Sequence, residues 1–199
     1  MNIIFVKHGD KYDHQYVNKL YQNLIRYYPN AIYWIYTENS DKVNQDINIV
    51  TIFKRPTLKR WWNKLALFSD DMPFEGKCLY FDLDSVIIDN PKKWVTNFDG
   101  LTLVKDFYKE NLYFDKHSYD VTVNSSVMTF TAKKNNYIWE KFLKNKDYFM
   151  RKYMGIDRFL VYEGIEIKNF ENGFAYSVDN EEPKENAAVR MYNGIDFNL

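Results

Sequence analysis

Asp82 and Asp84 stand one leucine apart inside residues 78–88, CLYFDLDSVII, a run that is otherwise almost wholly apolar. Such a run reads as a central strand covered on both faces, where an uncompensated carboxylate costs several kcal/mol. The two acids therefore need a partner. Residues i and i+2 of a strand share a side. If the strand ends at this point, two carboxylates converge just past its carboxyl end, where open α/β sheets hold their ligands. Two hard oxygen donors at that spacing suit Mg²⁺ or Mn²⁺ shared with a phosphate group. The plainer alternative is a pair of solvated acids in a turn.

The elements that would position these acids can be read from periodicity. Residues 3–6 form a short buried strand that runs into the polar loop Lys7-His8-Gly9-Asp10-Lys11-Tyr12. Tyr16, Leu20, Leu24 and Tyr27 then repeat at helical spacing, and Pro29 stops the helix. Residues 31–37 are a second strand ending in Thr37-Glu38, and residues 47–53 a third. This opening, with strand ends running into polar loops, predicts an α/β fold with a largely parallel sheet. Residues 58–68 predict an amphipathic α-helix, with Trp61, Trp62, Leu65 and Phe68 on one face and Lys59, Arg60, Asn63 and Lys64 mostly on another. After the acidic strand come a helical turn at 91–94, a strand at 101–104, a long charged loop at 106–120 and a strand at 121–132 that contains Asn124-Ser125-Ser126. Helices follow at 136–143 and 157–163, then three short strand-like pieces at 165–170, 174–178 and 189–192. Nothing divides the chain, so residues 1–199 are expected to form one domain.

Composition narrows the partners. The 27 Lys and Arg balance the 27 Asp and Glu, so net charge points to neither nucleic acid nor a membrane. Aromatic residues make up 19%, which suits a cleft that stacks sugars or bases but also follows from a coding bias toward Tyr, Phe, Asn, Lys and Ile. The one cysteine, Cys78, forms no intrachain disulfide, which predicts a reducing compartment. No apolar run approaches the roughly 20 residues that cross a bilayer, and the first residues do not read as a signal peptide. A cytoplasmic protein without a transmembrane segment is the expectation. His8, His14 and His117 show no metal-ligand spacing.

Several segments together resemble one family. Asp82-Leu83-Asp84, the preceding Trp62-Asn63-Lys64-Leu65, Asn124-Ser125-Ser126-Val127-Met128 and Gly155-Ile156-Asp157-Arg158-Phe159-Leu160 are similar, in order and spacing, to the motifs of small nucleotide-sugar glycosyltransferases of the GT-A fold, close to the glycogenin-like and lipopolysaccharide-galactosyltransferase-like groups. The resemblance covers roughly residues 3–194. It implies a single Rossmann-like domain, a mostly parallel sheet flanked by helices, with the D-x-D at the end of a central strand. It further implies a hexosyltransferase that uses Mn²⁺ or Mg²⁺ and a nucleoside-diphosphate sugar, UDP-sugar favoured, with a saccharide, lipid or protein acceptor.

The roles carry over residue by residue. Asp82 and Asp84 would hold the metal, with Asp82 also near the donor. Lys64 would meet the diphosphate, against the plainer reading of a solvated lysine. Tyr12, Thr37 and Glu38, at strand ends on the same sheet edge, would contact the nucleotide. Asn124 and Ser125 would bond sugar hydroxyls, or be ordinary polar residues of an edge strand. Asp157 would face the transferred sugar, or simply cap a helix. Two departures stand out: Arg158 replaces the family's glutamine, and Asn193 stands where a metal-binding histidine is usual. Two rival functions remain: a haloacid-dehalogenase-like phosphatase, which Phe81-Asp82-Leu83-Asp84-Ser85-Val86 also resembles, and a nucleotide-sugar binder without catalysis.

The Asn193 departure is testable. Imidazole nitrogen is a better donor to Mn²⁺ than an amide oxygen, whereas Mg²⁺ prefers oxygen, so Asn193→His is expected to tighten Mn²⁺ binding and leave Mg²⁺ binding little changed. Calorimetric titration of both ions into both proteins reads this, and equal Mn²⁺ affinities would mean that residue 193 does not reach the metal.

Overall fold

A computed structural model describes residues 1–52, 58–95, 98–107 and 121–192. Its main sheet has seven strands in the order β3-β2-β1-β4-β7-β6-β8. In chain order these are β1 (Asn2–Lys7), β2 (Ile32–Thr37), β3 (Ile47–Thr51), β4 (Lys77–Phe81), β6 (Thr102–Lys105), β7 (Val123–Thr131) and β8 (Lys168–Asn169). A second sheet of three short strands, β5 (Ser85–Ile87), β10 (Val189–Met191) and β9 (Ala175–Ser177), stands beside it.

The parallel expectation holds for β3, β2, β1 and β4, so the carboxyl ends of these four strands share one edge. Tyr80 pairs with Ile4, so Asp82, two residues on, stands level with Val6. β7 runs antiparallel to both neighbours, β4 and β6. It is an interior strand, so Asn124 and Ser125 do not belong to an edge.

Helices cover both faces. On one, α1 (His14–Ile25) buries Val17, Leu20, Tyr21 and Leu24, the i, i+3, i+4, i+7 stripe of an amphipathic helix, against Ile3, Phe5, Tyr33, Leu79 and Phe81. Asp13 starts this helix by accepting a bond from the Gln15 N–H at 2.8 Å. On the other face, a helix at Arg60–Phe68, α2 (Asn136–Lys144), α3 (Lys146–Lys152) and α4 (Ile156–Tyr162) pack Trp62, Phe142, Phe149 and Phe159 against Ile4, Tyr80 and Phe130. α3 follows α2 after Asn145, and its short amphipathic pattern was not expected from the sequence.

The segment 60–68 differs from its expectation in an informative way. It is a 3₁₀ helix, with three residues per turn in place of 3.6. Trp62, Leu65 and Phe68 line up at that spacing and are buried, while Trp61 falls off the stripe and is 43% exposed. Asn63 and Lys64, expected on a solvent face, are turned inward and buried. Asn63 donates to the carbonyls of Arg60 at 2.8 Å and Leu58 at 3.3 Å, which ties off the start of the helix.

The two layers of rings dominate this core. Phe142 is fully buried, stacks on Trp62 at 5.4 Å between centroids and meets Phe159 edge-on at 5.6 Å. Phe142→Ala is expected to cost about 3–5 kcal/mol, read as a lower urea midpoint with an unchanged slope.

Candidate functional site

The apolar run that carries the acids is cut in two. β4 ends at Phe81, the Asp82 N–H makes a last ladder bond to the Ser126 carbonyl at 2.8 Å, and the Ser85 N–H closes a turn onto the Asp82 carbonyl at 3.1 Å. Leu83, at the tip, is buried and anchors the turn in the core beneath α1. The chain then leaves the main sheet, and β5 starts the second one. There the Tyr192 N–H donates to the Asp84 carbonyl at 3.1 Å. Asp82 and Asp84 thus occupy a tight turn at the carboxyl edge, held by backbone bonds on both sides.

Each carboxylate is oriented by its own donors. The Tyr80 hydroxyl donates to Asp82 Oδ1, and the Lys64 ammonium sits 2.7 Å from Asp82 Oδ2. The Tyr12 hydroxyl donates to Asp84 Oδ2 at 3.0 Å. Lys64 also lies 3.4 Å from both the carbonyl and Oγ of Ser125, and 5.4 Å from the centre of the Tyr80 ring. The solvated-lysine reading fails here, because the Lys64 side chain is only 10% exposed and its charge is spent on Asp82. Burial, together with the charges of both acids, pushes the phenols of Tyr80 and Tyr12 well above their ordinary value, so both remain donors throughout the physiological range.

Asn124, Ser125 and Asp157 join the same network through a bulge. The β6–β7 register jumps between Leu103–Met128 and Val104–Asn124, so residues 125–127 bow away from β6. Bulges of this kind re-aim groups beside functional sites. Asn124 Oδ1 accepts the Ser126 N–H at 2.9 Å, and the Ser125 N–H turns toward α4, where Asp157 Oδ1 accepts it at 2.9 Å. Asp157 does not cap α4, whose N-cap is Gly155. Burial raises its carboxyl above the ordinary value, against the opposing pull of Lys64 and of the Ser125 bond.

Tyr12, Thr37 and Glu38 end up on the same edge, Thr37 as the last residue of β2 and the other two in the loops beyond strand ends. Glu38 accepts the Gly9 N–H and lies 3.4 Å from His8 Nδ1, stapling the loop after β1 to the end of β2. Thr37 is buried. Its hydroxyl donates to the Asn39 carbonyl at 2.9 Å and accepts the Asn39 N–H at 3.1 Å, closing its own turn. Two participants went unread in the sequence. Tyr80 was legible in principle, since it lies two residues before Asp82 on one side of a strand. Lys7, buried at the end of β1 and reaching the Gly9 carbonyl at 3.4 Å, continues the alternation of Ile3 and Phe5. Asn193 and most of the charged loop at 106–120 lie outside the described residues.

Among the described residues no group of three or more His, Cys, Asp or Glu could hold a metal ion. The donor set that can take a divalent ion is the pair Asp82 and Asp84, hard oxygens suited to Mg²⁺ or Mn²⁺, with further positions left to ligand and water.

No protein-family profile matches the chain, and no curated protein matches its sequence. Solved structures do match its fold. The galactosyltransferase LgtC, crystallised with donor and acceptor sugar analogues, superposes with a TM-score of 0.68 over 97% of this chain and 87% of that one, at 14% identity. The glycosyltransferase GlyE of Streptococcus pneumoniae superposes with a TM-score of 0.70 over 96% of this chain at 10% identity, and this chain spans 54% of its length. The architecture is the GT-A fold of these glycosyltransferases.

The raised carboxyl of Asp157 sets a pH dependence. Between the unfolded value near 4 and its higher folded value, the folded protein holds more protons than the unfolded chain, so this group's contribution to stability falls as pH rises through that window. Asp157→Asn removes the ionisation and keeps an oxygen for the Ser125 N–H. The variant is expected to unfold at an equal or higher temperature at neutral pH, with the difference closing toward about pH 4. Thermal unfolding across pH reads this, and a lower midpoint at neutral pH would mean that the attraction of Lys64 outweighs the burial cost.

Proposed function

We propose that this chain is a glycosyltransferase that moves a hexose from a nucleoside-diphosphate sugar, UDP-sugar favoured, to an acceptor hydroxyl with the aid of Mn²⁺ or Mg²⁺. The observation that carries the reading is the acidic turn at the carboxyl edge of β4, in which Asp82 and Asp84 are each aimed by a tyrosine hydroxyl and lie one hydrogen-bonded network away from Ser125 and Asp157. The GT-A architecture supports it. When bound, the ion would offset the charge that builds on the departing diphosphate.

The chain's own residues do the rest. Asp82 and Asp84 would hold the ion. Lys64, already at Asp82, brings a second cation to the diphosphate position. Asn124 and Ser125 offer neutral groups for sugar hydroxyls, and Asp157, tied to the Ser125 backbone, fixes that segment beside the reacting sugar. The loops stapled by Glu38 and shaped by Thr37 would receive the nucleotide, with the half-buried Tyr12 ring at its margin. No helix among the described residues is long and apolar enough to cross a membrane, so the acceptor must reach a site that no membrane-spanning helix described here anchors. The single cysteine is buried and unbridged, which supports the cytoplasm as the working compartment.

The phosphatase reading needs Asp82 as a nucleophile. The fold is instead the one this chain shares with glycosyltransferases. Incubation with UDP-sugars and Mn²⁺ separates the functions: a transferase releases UDP, a phosphatase inorganic phosphate, and a binder neither. UDP release is expected, falling about a hundredfold or more in Asp82→Ala and in Asp84→Ala, with the fold retained by circular dichroism. Undiminished release in both variants would overturn the assignment.

A further inference from the structure

The exposed large apolar side chains are concentrated in one layer. Of the eleven among the described residues, six lie on the helical layer that covers one face of the sheet: Trp61, Tyr137, Leu143, Tyr148, Met154 and Tyr162. Four of these form a contiguous strip. The Trp61 indole lies against Gly155, where an added methyl would meet its Nε1 at 3.3 Å. Gly155 has an extended backbone, φ 169, that any residue can adopt, so the glycine answers to the indole and not to the chain's conformation. Met154, next in sequence, is 59% exposed. Tyr153 then stacks on Tyr162 at 5.9 Å, and the Lys152 ammonium lies over both Tyr153, at 4.7 Å, and Tyr148, at 5.3 Å. At the other end, the Arg60 guanidinium lies 5.5 Å from the Trp61 ring. Arg60 itself has a left-handed backbone, φ 53, a costly conformation for a side-chain-bearing residue, pinned by the Asn63 bond to its carbonyl.

The strip is also basic, although the chain as a whole is neutral. Residues 141–163 hold six Lys and Arg against three Asp and Glu, and Lys59 and Arg60 join them from the neighbouring helix. Of the three acids, Asp157 points inward to Ser125, Glu163 lies against Lys141 and Lys152, and Asp147 lies 3.7 Å from Lys146. Exposed Trp, Tyr and Met interleaved with Lys and Arg is the make-up of a surface that lies in the headgroup layer of a bilayer, rings and thioether at the acyl boundary and cations on lipid phosphates.

We propose that this strip docks the protein reversibly on an anionic lipid bilayer. Asp157 follows Gly155 by two residues and is bonded to Ser125, so one short segment of chain joins the strip to the acidic site.

Sedimentation of the purified chain with vesicles tests the docking. Binding is expected to equimolar phosphatidylcholine and phosphatidylglycerol, to weaken with added salt, and to be absent with phosphatidylcholine alone. Arg151→Glu with Lys152→Glu should weaken binding at least about tenfold, and Trp61→Ser with Met154→Ser should do likewise. Ile49→Ser, an exposed apolar change on β3, should leave it unchanged. Thermal unfolding confirms that each variant is folded. No binding by the wild type, equal binding by all variants, or tighter binding to a single-stranded RNA than to the vesicles would overturn the proposal. Vesicle binding by a wild type that releases no UDP would uphold the docking and remove only the transferase reading.

Discussion

Asp82 follows a strand whose residues 78–81 are buried, and its side chain, 22% exposed, meets the 10%-exposed Lys64 ammonium at 2.7 Å. A charge this close to the core needs an opposite charge beside it. Several features of the fold follow from the need to supply that partner. Lys64 can reach Asp82 only if the segment before β4 turns a lysine inward, which an α-helix with its apolar stripe on Trp61, Trp62, Leu65 and Phe68 would not do. The 3₁₀ geometry solves this by aligning Trp62, Leu65 and Phe68 alone. The ammonium then needs oxygens on its remaining side, and the bulged segment of β7 offers the Ser125 carbonyl and hydroxyl there.

Lys64 meets Asp82 directly, and the Tyr80 and Tyr12 hydroxyls give Asp82 and Asp84 hydrogen bonds that carry no charge. Tyrosine hydroxyls orient a carboxylate without neutralising it. Burial raises the carboxyl of Asp157 against the attraction of Lys64. Fixed geometry and hard oxygen atoms are what a divalent cation would require of such an edge.

Much of this was legible in the sequence. The β1–α1–β2 opening was readable because Tyr16, Leu20, Leu24 and Tyr27 recur at helical spacing and the strands are short apolar runs between polar loops, although the buried stripe proves to be Val17, Leu20, Tyr21 and Leu24 and the helix ends at Ile25. The acids stood out because nothing else in residues 78–88 is charged. What stayed hidden depends on contacts distant in sequence. The split of that run between two sheets is decided by bonds to Ser126 and Tyr192, 44 and 108 residues from Asp82 and Asp84 respectively. The inward turn of Lys64 depends on a helix type that differs from the α-helix by well under one residue per turn, too little for nine residues of pattern to resolve. The bulge at Ser125 left only a faint mark, since Asn124-Ser125-Ser126 breaks the alternation of the strand for three residues, as a polar patch would, without fixing where the register jumps.

The second sheet explains why two acids so close together can be held apart in role. Asp82 belongs to the main sheet, fixed through its N–H to β7 and through its side chain to the helical layer that carries Lys64. Asp84 belongs to the turn into β5, fixed through its carbonyl to the end of β10 and through its side chain to Tyr12 at the threshold of α1. The two carboxylates are thus mounted on opposite layers and meet over the carboxyl edge. An ion bound between them would tie the layers together, which is how occupation of this edge would be felt in the packing on both faces of the sheet.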